Sequence, residues 1–230
     1  MLFLRNIILL FTITALTGCA TAVQYGYDST LYSKKAPHEL QALIKPFQDL
    51  RTPDEHDGTF SATKDYFYTQ DKIFKKDIGA QVTKAVKKHL EKAKVFKKVE
   101  IRELNGAADD PKILEELKDS GFDILISGDL HHFYGYQSGK ISSRTASMFG
   151  LAGYLTEAMA NKKIIGGRAS LGDVKVIDVK AGKILWQGNI DYDYEKKITF
   201  YLDPQTYAIE ALKMVDDKLV RQVDQAIEGK

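Results

Sequence analysis

After residue 38, segments with apolar residues at every third or fourth position alternate with short apolar or alternating segments. Apolar positions recur every three or four residues over residues 73–93, with lysines on the other face, and again from about residue 204. Each pattern predicts an amphipathic helix. A shorter helix is expected to begin with Asp110 as its cap and Pro111 at its first position, and to end at Gly121. The apolar stripe of the last helix consists of Ile209, Leu212, Val215, Leu219, Val223 and Ile227.

The segments between these helices have the composition of strands. Short apolar runs cover residues 40–47, 95–104 and 122–130, and residues 171–198 form a hairpin whose turn lies at 180–183. In the second strand of that hairpin the side chains alternate strictly. One face carries Ile184, Trp186, Gly188, Ile190, Tyr192 and Tyr194, and the other carries Leu185, Gln187, Asn189, Asp191, Asp193 and Glu195.

The resulting order is strand, helix, strand, helix, strand, hairpin, helix. Alternating β and α units followed by an antiparallel pair predict an α/β fold, a two-layer sandwich in which helices pack on a mixed β-sheet. We expect one such domain over residues 38–230. A long, small-residue apolar segment, at about 141–165, interrupts the connection between the third strand and the hairpin.

The first nineteen residues, MLFLRNIILLFTITALTGC, show a charge followed by an apolar run. Arg5 precedes about ten apolar residues, a length typical of a signal peptide and too short to span a bilayer as a stable helix. Leu16, Thr17, Gly18 and Cys19 follow, and they resemble the lipobox of bacterial lipoproteins. The resemblance implies cleavage before Cys19, a diacylglycerol thioether on its thiol and an N-acyl chain on its amine.

The lipobox divides the beginning of the chain into two parts. Residues 1–18 are expected to be a lipoprotein signal peptide, and residues 19–37, polar with scattered tyrosines, a tether. Because Ala rather than Asp follows the cysteine, analogy with enteric bacteria favours the outer membrane, with the domain on the periplasmic face. The membrane is therefore a predicted partner through the lipid anchor.

Charge and motif content exclude several function classes. The 33 basic and 31 acidic residues nearly balance, so nucleic acid is not an expected partner, and Cys19 is the only cysteine. We predict no metal site, because His131 and His132 are strand neighbours on opposite faces, and no cofactor besides the lipid chains. Gly166 and Gly167 indicate a loop rather than a phosphate-binding motif. A non-enzymatic protein is expected.

Three segments resemble a known group of envelope proteins. ALIKPFQDLR, FDILISGDLHHF and LGDVKVIDVKAGKILWQG are similar to strands in the amino-terminal domain of the Tol propeller protein and in the curli secretion lipoprotein. The resemblance spans roughly residues 40–228 and implies the same sandwich fold. It does not imply an activity, because fold and function are separable.

Two aromatic and apolar segments are candidate contact surfaces. In HHFYGYQSG, Phe133 and Tyr134 are expected to pack, whereas Tyr136, where the strand is expected to end, is the better interface candidate. The second segment, residues 141–165, could be a helix covering one sheet face or a segment that docks on a partner. The candidate partner-binding residues are Tyr134, Tyr136, Phe149 and Tyr154.

The predicted function is therefore that of a lipid-anchored accessory or assembly factor that binds another envelope protein. Self-association into a homo-oligomer is a further hypothesis. One alternative is a carrier that holds lipid or another apolar ligand between the sheet and residues 144–160. A third, weaker hypothesis is an envelope hydrolase that uses Asp191 or Asp193.

Overall fold

A computed structural model describes residues 32–52, 66–68, 78–138, 163–198 and 204–230. Its elements follow the predicted order, with two short strands in addition. They are β1 (His38–Ile44), β2 (Gln48–Asp49), β3 (Tyr66–Tyr68), α1 (Ile78–Lys92), β4 (Phe96–Ile101), α2 (Pro111–Lys118), β5 (Ile124–Ser138), β6 (Lys163–Asp178), β7 (Lys183–Ile198) and α3 (Pro204–Glu228).

A mixed sheet of seven strands forms the framework. Its main path runs β4-β1-β5-β6-β7, and β1 lies parallel to both β4 and β5. The pairs β5/β6 and β6/β7 are antiparallel, while β2 and β3 pair with β5 beyond the end of β1. Pro46, which has no N–H to donate, lies in the break between β1 and β2. The predicted fold class, helices on a mixed sheet, is confirmed.

The main core lies between one face of the sheet and the helices α1 and α3. The predicted stripe of α3 is almost entirely buried there, with Leu212, Val215, Leu219 and Val223 fully inaccessible to water. Each such side chain stabilises the fold by roughly 1.5–3 kcal/mol relative to an exposed position. The amphipathic pattern of α3 therefore predicts its buried face correctly.

The short helix α2 covers part of the opposite sheet face. Asp110 caps it as expected, since its carboxylate accepts a hydrogen bond of 2.9 Å from the backbone N–H of Lys112. A second, smaller core forms under the helix, where Leu114 and Leu117 pack with Leu125 of β5. Farther along β5 and β6, the same side carries polar and aromatic residues such as Tyr134, Tyr136 and Arg168.

The glycine pair 166–167 lies inside β6, so the prediction of a loop there is wrong. A Cβ on Gly166 would lie 2.4 Å from the Tyr136 ring, and one on Gly167 would lie 2.1 Å from the backbone of Tyr207 in α3. Both glycines are needed because a ring crosses one side of the strand and a helix approaches the other. The strand begins at Lys163, so the last residues of the predicted 141–165 insertion belong to the sheet.

Candidate functional site

A groove runs along the outer edge of β7, beside α3. In the described part of the chain, β7 pairs with β6 alone, so its other edge faces the groove. The groove has a volume of about 540 Å³. Its walls are formed by Trp186, Asn189, Ile190, Asp191, Lys218, Arg221, Gln222 and Gln225.

The alternation of β7 explains the apolar floor of this groove. Trp186 and Ile190 point toward α3; Ile190 is buried in the core, whereas Trp186 stays partly accessible. Between them, Gly188 leaves room for the indole, because a Cβ there would lie 2.8 Å from the ring. A partly exposed tryptophan on a rigid strand is a typical anchor in protein interfaces.

Two cations of α3 form the opposite wall. The Lys218 ammonium donates a 3.0 Å hydrogen bond to the backbone carbonyl of Asp191 and lies 4.9 Å from the centre of the Tyr192 ring. The Arg221 guanidinium pairs with Asp217 of its own helix. The flexible Lys218 side chain thus makes a hydrogen bond with one carbonyl of the edge strand. A backbone N–H of an added strand can take the place of this donor.

The other face of β7 carries a row of carboxylates. Asp191, Asp193 and Glu195 are exposed, and the Arg168 guanidinium lies 3.3 Å from Asp191. The Tyr136 ring lies across Gly166. Its hydroxyl oxygen lies 2.7 Å from a carboxylate oxygen of Asp193 and 2.8 Å from one of Glu195. Burial and these two carboxylates raise the pKa of Tyr136 far above its usual value, so the phenol keeps its proton.

The expectation that the strand ends at Tyr136 is wrong, because β5 continues to Ser138. There it pairs with β3 on one side and with β6 on the other. Tyr136 is 5% exposed, so its ring is held in the sheet surface rather than presented to solvent. Tyr134 is half-buried, with its ring centroid 6.1 Å from that of Tyr136.

The other predicted site residues lie outside the described ranges. These are the lipobox residues Leu16, Thr17, Gly18 and Cys19, together with Phe149 and Tyr154 of the inserted segment. Their roles stay predictions.

A side-chain cluster near the end of α3 holds the chain that leads into β1. The Lys34 ammonium lies 2.7 Å from Asp224, 2.9 Å from Glu228 and 2.8 Å from the His38 imidazole. His38, Asp224 and Glu228 also have the ligand types and spacing of a metal site. Because the Lys34 ammonium contacts all three groups, the cluster already has a cation of its own.

The same cluster shows that part of the predicted tether belongs to the domain. Tyr32 donates its backbone N–H to Asp217 at 2.7 Å and its hydroxyl to Asp224. Burial by itself raises the pKa of Asp224, but hydrogen bonds from Lys34, Tyr32 and His38 hold it below the ordinary value. Tyr32 and Lys34 are therefore held against α3, although the sequence placed them in the tether.

Sequence reasoning did not identify the groove. The alternation assigned Trp186 and Ile190 to one face of β7, and that assignment is confirmed. The groove itself depends on which strand lies at the edge of the sheet and on where α3 crosses it. Neither feature leaves a local signal in the sequence.

Comparison with known proteins gives structural rather than sequence similarity. No protein-family model and no curated protein matches the chain. Solved structures with a similar arrangement include protein XCC0632 from Xanthomonas campestris, of the family DUF330, at a TM-score of 0.51 and 9% identity. That similarity covers 86% of this chain and 93% of XCC0632.

Two further structures score lower. Lipoprotein GNA1162 from Neisseria meningitidis has a TM-score of 0.35 and 11% identity, over 81% of this chain and 99% of its own. A neuraminyllactose-binding hemagglutinin homologue from Helicobacter pylori has a TM-score of 0.42 and 10% identity, over 88% and 89% of the two chains. XCC0632 supports the shared fold; the two lower scores carry no conclusion.

Proposed function

We propose that this chain is a bacterial lipoprotein, anchored through lipid on Cys19 to the periplasmic face of the outer membrane, where it binds another envelope protein. It acts as a non-enzymatic accessory or assembly factor. The edge groove between β7 and α3 is the observation that carries the binding role.

The anchor is supported by the sequence and by the way the chain enters the domain. Leu16, Thr17, Gly18 and Cys19 resemble a lipobox after a signal-peptide pattern. None of the described helices has the length and apolar character needed to cross a bilayer. Tyr32 and Lys34, the described residues nearest to Cys19, contact α3, the helix that forms one wall of the groove.

The groove has the features of a site for an extended peptide segment. Such a segment adds to a sheet edge through backbone hydrogen bonds, and pockets for alternate side chains provide specificity. The outer edge of β7 offers the backbone groups, and Trp186 offers an aromatic anchor. Lys218 and Arg221 favour a partner segment that carries acidic residues.

The carrier alternative depends on residues 144–160, which lie outside the described ranges. No specific contact in the described part of the chain favours it. It remains a distinct outcome of the experiment below.

The test is a mild-detergent pull-down of the full-length protein from its own envelope, with mass spectrometry of proteins and lipids. We expect one stoichiometric protein partner and a Cys19 peptide whose mass includes the lipid chains. Gln225→Glu places a negative charge at the exposed rim of the groove, where it repels an acidic segment, and should reduce the recovered partner about tenfold.

Asn105→Glu is the matched control, because it adds the same side chain at an exposed turn position before α2. It should leave the partner in place. Bound lipid without a protein partner would contradict the binding role and favour the carrier. An unmodified Cys19 would contradict the anchor.

A further inference from the structure

A small polar pocket lies on the sheet face that carries α2, at the edge of the smaller core. The break between β1 and β2 and the turn before α2 form its sides, and β5 and β6 form its floor. Its volume is about 140 Å³, close to that of a cavity that binds benzene. We call it the Asp129 pocket. The charged residues that line it are Lys45, Asp109, Asp129, Asp173 and Lys175.

Two bulges distort the strands at the floor of the Asp129 pocket. The pairing of β5 with β6 shifts register between Ser127 and Asp129, and the pairing of β6 with β7 shifts register between Leu171 and Val174. Asp173, inside the second bulge, has a φ of 44°. Bulges bend a strand and re-aim its side chains, and they occur often beside functional sites. The irregular pairing therefore lets carboxylates of β5 and β6 reach the same pocket.

Both ammonium groups of the pocket already have partners. The Lys175 Nζ atom lies 3.0 Å from a carboxylate oxygen of Asp109 and 3.6 Å from one of Asp173. The Lys45 ammonium donates a hydrogen bond to the backbone carbonyl of Gly106. Three carboxylates against two ammonium groups leave a formal charge of −1, so one further positive charge makes the lining neutral.

Ser127 and Asp129 bring acceptors into the pocket that the described residues do not use. Ser127 is 7% exposed, and within the part of the chain that the structure describes its hydroxyl makes no hydrogen bond. The Asp129 carboxylate makes neither a hydrogen bond nor an ion pair with any described residue. Burial, and then the charge of Asp173, raise the pKa of Asp129. Buried polar groups without a partner cost free energy, so both side chains favour a ligand that donates hydrogen bonds.

The spacing of the carboxylates favours an organic cation over a metal ion. Among the described residues, only His38, Asp224 and Glu228 place three such ligand atoms within 4.8 Å of one another. The three aspartates of the pocket are therefore too far apart to bind one metal ion together. An ammonium group needs no such convergence, because each of its N–H groups donates to a separate acceptor.

We propose that the Asp129 pocket binds the primary ammonium group of a small aliphatic amine. The ammonium group donates to the Asp129 carboxylate and to the Ser127 hydroxyl oxygen, and an alkyl chain of about four to six carbon atoms fits the remaining volume. Pro46, Ala107 and Ala108 provide apolar contacts for that chain. The pocket lies on the α2 face of the sheet, whereas the groove lies beside α3, so amine binding goes beyond the proposed binding of an envelope protein.

The test is an NMR titration of the full-length protein in uncharged detergent with n-butylammonium. We expect the backbone amide signals of Ser127 and Asp129 to shift with a Kd of about 1 mM, a strength typical of so small a ligand. Two probes with the same alkyl chain separate the charge from the donors. Butyrate has the opposite charge and should cause no shift. Butyltrimethylammonium keeps the charge without N–H donors and should bind about tenfold more weakly.

Three outcomes of the titration would overturn the proposal. The first is the absence of shifts at about 50 mM n-butylammonium. The second is an equal affinity for butyrate or for butyltrimethylammonium. The third is the same set of shifts with calcium chloride alone, which would indicate a metal site instead.

Two variants inside the pocket and one outside it make the test specific. Asp129→Asn keeps the size of the side chain and removes its charge, so it should weaken n-butylammonium binding about tenfold. Ser127→Ala removes the hydroxyl and should weaken binding about fivefold. Asp119→Asn is the matched control, because Asp119 is exposed at the end of α2 that lies away from the pocket, and it should retain the wild-type affinity. Unchanged affinity in both pocket variants would overturn the proposal.

Thermal unfolding distinguishes amine binding from a structural role of Asp129. Because the carboxylate has no partner among the described residues, Asp129→Asn should melt at or above the wild-type temperature without amine. About 10 mM n-butylammonium should raise the melting temperature of the wild type and leave that of Asp129→Asn unchanged. A lower melting temperature of Asp129→Asn without amine would overturn the proposal. The lipoprotein proposal is tested separately, since neither Cys19 nor the groove takes part in amine binding.

Discussion

Replacing His89 by leucine should destabilise the domain severely, although leucine suits the surrounding core. The His89 Nδ1 atom lies 2.9 Å from Asp216 Oδ2, and this pair links α1 to α3. His89 is 3% exposed and Asp216 is completely buried. In His89→Leu the Asp216 carboxyl loses this partner in an apolar interior, which costs about 3–5 kcal/mol. Whole domains are stable by only about 5–15 kcal/mol.

The double variant His89→Leu/Asp216→Leu separates the pair from its surroundings. Replacing both members by apolar residues of similar volume is often neutral or stabilising, so the double variant should recover most of the lost free energy. The assay is urea unfolding of the lipid-free form followed by circular dichroism, with the unfolding free energy extrapolated to water. If the double variant is as unstable as the single one, packing rather than an unpaired charge explains the loss.

The same pair predicts how stability depends on pH. Burial alone lowers the pKa of His89, but the hydrogen bond and charge of Asp216 raise it above the ordinary value of 6.5. Burial raises the pKa of Asp216 as well. Since the folded state binds protons more tightly, this contribution to stability is present below about pH 6.5 and is lost as pH rises through the folded pKa of His89. The unfolding free energy should fall as pH rises above about 6.5, and the double leucine variant should lack that decrease.

Three further predictions follow from individual contacts. Gly167→Ala should cost about 3 kcal/mol or more, because its Cβ would meet the backbone of α3 at 2.1 Å, whereas Gly229→Ala, with no atom nearer than 3.5 Å, should change the melting temperature little. Asp224→Asn should cost about 2 kcal/mol. Because the Asp224 pKa is lowered, its contribution is present above about pH 3.8 and is lost in more acidic solution, which acid unfolding of both proteins will show. Asp193→Asn changes a carboxylate that does not line the groove and should leave the recovery of the protein partner unchanged, whereas a loss of hydrolysis with the partner still bound would support the hydrolase hypothesis.

Periodicity predicted the elements whose environment is uniform along their length. The stripe of α3 reports one buried side, and the structure confirms it. The alternation of β7 is confirmed from Trp186 to Tyr194 but is wrong at Ile184 and Leu185. The pairing with β6 shifts register between Val176 and Ile177, so Leu185 packs on the main core and Ile184 lies on the other face. The cap at Asp110 is a local signal and was equally predictable. These features need only neighbouring residues to be specified.

Features that depend on distant parts of the chain could not be predicted in this way. The strand β5 extends to Ser138 because β3 and β6 pair with it there, although the local sequence is rich in glycine and polar residues. Gly166 and Gly167 resemble a loop until the Tyr136 ring and α3 are placed beside them. Predicting the groove likewise requires knowing the order of the strands in the sheet. The resemblance to the Tol propeller and curli proteins stays a prediction.

Site-specific photo-crosslinking in intact cells tests the binding groove most directly. A photoreactive residue is placed at Gln222 or Gln225 in the groove, and at exposed Glu116 on α2, which packs on the opposite sheet face, as the control. The account predicts one discrete protein adduct from both groove positions and none from position 116. Absence of any adduct in the groove, or the same adducts from all three positions, would contradict it.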